Sequence, residues 1–208
     1  MLEKPRILIF PGLGDNVKQT LCLTRNWESK FGVSVRVSSV CWKNTNESLD
    51  EKLESGNTLI NENLKTVSVL FLMGLSGGGS FAYNLFCQRL DQIPKMINVC
   101  GRMRRGENVY PTLDQAAGKK MAFRDSVLVA EKNERLNLDN NHRVMTIRPR
   151  FGDEVVPPSS VTLEGARNIQ IPTTEHILSI YYALWFPHQM IQFLLQEENY
   201  FTPSINSQ

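Results

Sequence analysis

The apolar run Val67-Ser68-Val69-Leu70-Phe71-Leu72-Met73 passes without a break into Gly74-Leu75-Ser76-Gly77-Gly78, and a helix-like pattern starts at once. A run of this length without charge reads as a strand buried on both faces. Glycines two before and two after Ser76 let a strand reverse into a helix without a clash. The turn holds the serine in a sparsely populated backbone conformation, with its hydroxyl exposed. The chain is therefore organised around a central strand, a sharp turn and a helix folded back on that strand.

The remaining pattern repeats that alternation. Arg6-Ile7-Leu8-Ile9-Phe10 reads as a short buried strand ended by Pro11-Gly12-Leu13-Gly14-Asp15, with a weak helical period following to about Lys30. Residues 33–40 alternate valine with polar residues as an outer strand does, and 48–64 look helical despite Gly56. The spacing predicts a helix over 78–90 with Phe81, Leu85 and Phe86 turned inward. Further strands are expected at 95–100, 143–148 and 168–171. Six strands alternating with helices imply an α/β chain with a doubly wound, mostly parallel sheet and helices on both faces, in which sites form at the carboxyl ends of the strands.

One domain spanning 1–208 is expected, since 208 residues with 41% hydrophobic content suit a single sizeable core. The longest connection, 101–141, mixes a basic turn, Pro111 and a helical stretch over about 112–136. It packs as a crossover or serves as a small lid. A formal charge of +2, from 23 basic and 21 acidic residues, gives no broad cationic field for nucleic acid or an anionic membrane. The amino-terminal residues run straight into a strand, with no apolar segment long enough for a signal core or membrane span, and a cytoplasmic location is expected. Cys22, Cys41, Cys87 and Cys100 are scattered through apolar segments without metal-ligand spacing, which suits buried free thiols rather than disulfides or zinc.

A serine hydroxyl is a poor nucleophile at neutral pH. It needs a neutral imidazole to take its proton and a buried carboxylate to orient that imidazole. Asp153, in Gly152-Asp153-Glu154-Val155-Val156-Pro157, follows the strand ending near Arg148, and His176 follows the last strand, so both belong at the Ser76 end of the sheet. Glu154 is the alternative acid. His142, before a strand, and His188, inside the carboxyl-terminal helical pattern, are worse placed. Gly77-Gly78-Gly79-Ser80 lacks the Lys-Ser or Lys-Thr ending of a nucleotide loop.

The order Ser76, Asp153, His176, each after a successive strand, resembles the serine hydrolases of the α/β-hydrolase fold over nearly the whole chain. The resemblance rests on the elbow at 74–78, the acid loop at 152–157 and Glu175-His176-Ile177. It implies an acyl-transfer hydrolase, a carboxylesterase or thioesterase, with these residues as nucleophile, acid and base and with no metal or organic cofactor. It also implies an oxyanion hole from the backbone N–H of Gly77 and of one residue after the first strand, for which Leu13 is the choice. Many relatives carry histidine where this chain has Pro11.

Arg102, Arg104 and Arg105, after the strand ending at Cys100, are candidates for pairing an anionic group of a small acyl substrate. Trp42, Tyr110 and Phe151 are candidates to line an apolar pocket, and residues 181–193 form either a core helix or a dimer surface. The competing readings are a non-catalytic binding module on the same fold and an acyltransferase that passes the acyl group to an acceptor other than water.

Overall fold

Strand β1 (Arg6–Phe10) sends Leu8 and Phe10 to one face of a sheet and Ile7 and Ile9 to the other, all of them buried. This period-two division sets up two cores in a computed structural model that describes residues 4–196. The expectation for the amino-terminal segment falls partly on 1–3, outside the described residues.

The elements follow in order as α1 (Val17–Thr24), α2 (Trp27–Phe31), β2 (Ser34–Val37), α3 (Leu49–Leu64), β3 (Leu70–Leu75) and α4 (Gly78–Gln88). Then come β4 (Met96–Val99), α5 (Leu113–Ala117), α6 (Met121–Leu136), β5 (Val144–Pro149), β6 (Arg167–Ile171), α7 (His176–Trp185) and α8 (His188–Leu195). The six strands form one sheet in the order β2-β1-β3-β4-β5-β6, with every neighbouring pair parallel. Side chains of α3, α4 and α6 pack on one face, and those of α2, α7 and α8 on the other. After β1 the chain winds one way and after β3 the other. The strand order therefore reverses between β1 and β3, opening a crevice at their carboxyl ends.

β3 is the longest strand buried at every position, all six of its residues, as its composition predicts. It begins at Leu70 rather than Val67, because the Val67 N–H is still held by the Asn63 carbonyl at the end of α3 (3.2 Å). Gly56 is tolerated within α3 because a methyl group there would lie 2.7 Å from Leu85 of α4. Helices α3 and α4 approach through that gap.

Several boundaries differ from the sequence reading, each for a local reason. The helical period before Lys30 is two helices: the Thr20 and Thr24 hydroxyls bond back to the carbonyls four residues earlier, and the chain turns at Arg25-Asn26 before Trp27 anchors α2 through its indole N–H on Leu184 O (3.2 Å). β2 stops at Val37 rather than Val40 because Asp15 captures the backbone beyond it: its carboxylate accepts from Val40 N (3.0 Å) and Trp42 N (2.8 Å). The stretch 112–136 is divided at Gly118, and 181–193 is divided at Pro187, which cannot continue α7. Of the four cysteines only Cys100 is fully buried and Cys87 partly so. Cys22 and Cys41 are exposed, one on the outer side of α1 and the other in the loop drawn out by Asp15. Among the described residues no helix is long and apolar enough to cross a membrane.

Candidate active site

Ser76 has φ 50°, in the left-handed region that a side chain seldom occupies. The strain is held on both sides: Ser76 N donates to Val99 O of β4 (2.9 Å) and Gly79 N donates to Ser76 O (2.8 Å). The glycines are obligatory in the sense the motif suggests. A Cβ on Gly74 would sit 2.2 Å from Gly78 O, and one on Gly78 would sit 2.1 Å from Phe10 O at the end of β1. Strand, turn and helix close on each other through backbone atoms, which carries the serine hydroxyl out of the sheet.

His176 is the first residue of α7 and is buried. Its Nε2 lies 2.8 Å from Ser76 Oγ, and its Nδ1 lies 2.8 Å from Asp153 Oδ2. A carboxylate only accepts, so the ring proton belongs on Nδ1 and Nε2 is free to accept from the serine hydroxyl. The other oxygen of Asp153 accepts from Val155 N (2.9 Å) and Val156 N (2.8 Å), which fixes the carboxylate plane. The Asp153 side chain is 1% exposed and that of His176 5%, so this chain of contacts is shielded from water.

Among the described residues Glu154 makes no hydrogen bond to the imidazole. Its carboxylate accepts the His176 backbone N–H (3.1 Å to Oε2), while Glu175 caps the next two N–H groups of α7. Adjacent carboxylates thus divide the histidine between them, Asp153 taking the ring and Glu154 the backbone. That second contact is invisible in the sequence, where Glu154 reads only as a rival for the first. Burial, reinforced by the charges of Asp153 and Glu154, pushes the neighbouring Cys100 thiol well above its usual range.

Leu13 and Gly77 face each other across the β1/β3 crevice: a Cβ built on Gly77 would lie 3.4 Å from Leu13 N. Among the described residues neither N–H donates to a protein acceptor. The loop carrying Leu13 is fastened from behind by Asp15 and by Trp42, whose indole N–H donates to Pro11 O (3.3 Å). Trp42 is therefore no pocket wall. It is 1% exposed and packs edge-on against Phe81 and Phe123 in the core.

The arginines part ways. Arg102 borders a cleft that also reaches Ser76, but its guanidinium donates to the carbonyls of Arg104 (3.2 Å), Pro111 (2.9 Å) and Arg105, holding together the loop it belongs to, and burial lowers its pKa. Arg104 pairs with buried Glu134, and Arg105 borders the same separate mixed-charge depression at α6. Neither lines a cleft at Ser76. Tyr110 and Phe151 are exposed and line neither of the two clefts that open at Ser76.

Two clefts meet at Ser76, with Leu13 and Val155 bordering both. One, about 300 Å³, runs between α1 and α7 and is mainly apolar, walled by Leu23, Ile180 and Leu184 together with His176. The other, about 240 Å³, lies under α5 and is bordered by Gly77, Arg102, Gln115, Phe123 and Glu154. The connection 101–141 thus contributes α6 to one helical layer and the α5 end to a rim of the second cleft.

No family model and no curated protein matches the sequence. Solved structures match over most of the chain. One, described under LipS and LipT, two metagenome-derived lipolytic enzymes, has a TM-score of 0.69 at 13% identity, covering 92% of this chain and 95% of its own. Est1E from Butyrivibrio proteoclasticus has a TM-score of 0.62 at 13% identity, covering 92% and 89%. A thioesterase domain from the curacin biosynthetic pathway has a TM-score of 0.58 at 13% identity, covering 91% of each chain. With the parallel sheet and its helical layers, these likenesses place the chain in the α/β-hydrolase fold.

Proposed function

We propose that this chain is a serine hydrolase that cleaves a carboxylic ester or thioester through an acyl-Ser76 intermediate. The observation that carries the reading is the continuous contact from Ser76 Oγ through both ring nitrogens of His176 to the buried Asp153 carboxylate. The fold likeness to lipolytic enzymes, Est1E and a thioesterase domain supports the reaction class.

The residues perform the reaction in two halves. Ser76 Oγ attacks the acyl carbon as His176 Nε2 takes its proton, and the Asp153 carboxylate stabilises the resulting imidazolium. The oxygen that gains charge is received by the Leu13 and Gly77 N–H groups, each worth about 3 to 4 kcal/mol in a site of this kind. His176 then gives its proton to the leaving group. Water, deprotonated by the same nitrogen, releases the acid.

A fluorophosphonate probe tests the reading directly, because it phosphonylates only an activated serine. The expected result is an adduct on the peptide containing Ser76, absent from Ser76→Ala and His176→Ala. A folded protein that takes no label would instead fit a ligand-binding module on the same fold.

A further inference from the structure

The two clefts at Ser76 are not equivalent with respect to His176. His176 borders the α1–α7 cleft and not the cleft under α5, which holds Gly77 and Glu154. In the acylation half-reaction the Oγ–C bond forms, the bond from the acyl carbon to the leaving oxygen breaks, and the proton taken from Oγ passes by way of Nε2 to that oxygen. The leaving group must therefore lie on the side Nε2 faces.

The α1–α7 cleft also has a definite chemical character. Its walls are mostly aliphatic, and its one carboxylate, Asp15, spends both oxygens on the N–H groups of Val40 and Trp42. Across its outer edge Gln19 Nε2 donates to the Tyr181 hydroxyl, tying α1 to α7. Among the described residues no lysine or arginine lines it, and Gln19 and Tyr181 both border it.

Resting on the hydrolase reading, we infer that the α1–α7 cleft holds the leaving alcohol, that this alcohol is an uncharged aliphatic chain, and that the Gln19–Tyr181 strap sets its length. The acyl group then occupies the smaller cleft under α5, bordered by Arg102, Gln115 and Phe123.

Two ester series separate the clefts: acetate esters of methyl, butyl, hexyl and octyl alcohols, and methyl esters of acids of the same lengths. For the alcohol series kcat/KM is expected to rise by up to about fourfold per methylene, as burial of a CH₂ group allows, until the strap is reached. Leu23→Trp, which fills the cleft, should flatten the rise. Tyr181→Ala should extend it to longer alcohols, as should Gln19→Ala at an exposed position that tolerates change.

A rise that follows the acyl chain instead, or an alcohol profile that none of these variants alters, overturns the assignment while Ser76 still takes the fluorophosphonate label. Absence of both label and turnover overturns the hydrolase reading and this inference with it.

Discussion

His176 Nε2 stands 2.8 Å from Ser76 Oγ although the two residues are one hundred positions apart in the chain. The contact exists because β3 and β6 both deliver their carboxyl ends to the same edge of a parallel sheet, and because α7 begins at the histidine itself.

The first prediction separates the two neighbouring carboxylates. Asp153→Asn replaces an acceptor at Nδ1 with a group that can donate, which favours the wrong tautomer, and kcat should fall by about 10⁴. Glu154→Gln removes charge from a contact to the backbone N–H only and should cost less than about tenfold. Esterase kinetics on the two variants decide the matter. Comparable losses would show that Glu154 shares the work at the ring.

Asp15 carries a second prediction. Its carboxylate satisfies two N–H groups of the loop after β2 and sits two residues beyond Leu13. Asp15→Ala leaves both donors without their acceptor and should cost about 1–3 kcal/mol, read as a lower urea midpoint at unchanged slope. Because the Leu13 loop loses its tether, kcat should fall more than KM rises. A variant with normal kcat would mean that Trp42 alone holds the loop.

How much of this was legible in the sequence follows from where each signal is encoded. The inner strands were legible because a parallel sheet buried on both faces favours apolar runs, the edge strand β2 through its alternation of valine with polar residues, and the elbow because backbone-to-backbone packing at Gly74 and Gly78 leaves glycine as the residue that fits. Ser76, Asp153 and His176 were reachable because each directly follows a strand. The substrate residues were not. Arg102, Arg104 and Arg105 look alike as a string, yet one is spent on loop carbonyls, one on Glu134, and the third borders a depression away from Ser76. Trp42 reads as a pocket candidate because an indole that supports a pocket loop from behind has the same sequence signature as one that lines it. The Gln19–Tyr181 strap joins two polar-edged helices far apart in the chain, and no local pattern marks it.

Thiol chemistry provides a third prediction. Burial pushes Cys87 up to about 12 and Cys100 higher still, while Cys22 and Cys41 are exposed. At pH 8 a thiol reagent should titrate two cysteines quickly in the native protein and all four after unfolding. The same shifts act on stability: unfolded thiols lose their protons near pH 9 while native Cys87 keeps its own, so the unfolded state binds fewer protons and stability should fall as the pH rises from about 9 to about 12. Denaturant melts across that range test the sign. Rapid reaction of four thiols in the folded protein would contradict the burial of Cys87 and Cys100.

Gly78→Ala tests whether the elbow is a matter of backbone contact or merely of flexibility. In the structure the added methyl carbon would lie 2.1 Å from Phe10 O and 2.7 Å from Pro11 O, both main-chain atoms that cannot rotate away. To admit it, α4 must move off β1, at a cost of about 1–3 kcal/mol or more. The atoms displaced lead through Gly12 into Leu13, so the Leu13 and Gly77 N–H groups should separate as well. Stability and kcat should therefore fall together, whereas fluorophosphonate labelling of Ser76 should slow without disappearing, since His176 is held from the opposite side by Asp153 and Glu154. If Gly78→Ala keeps both its melting temperature and its turnover, the close approach of β1 and α4 is not what shapes the site.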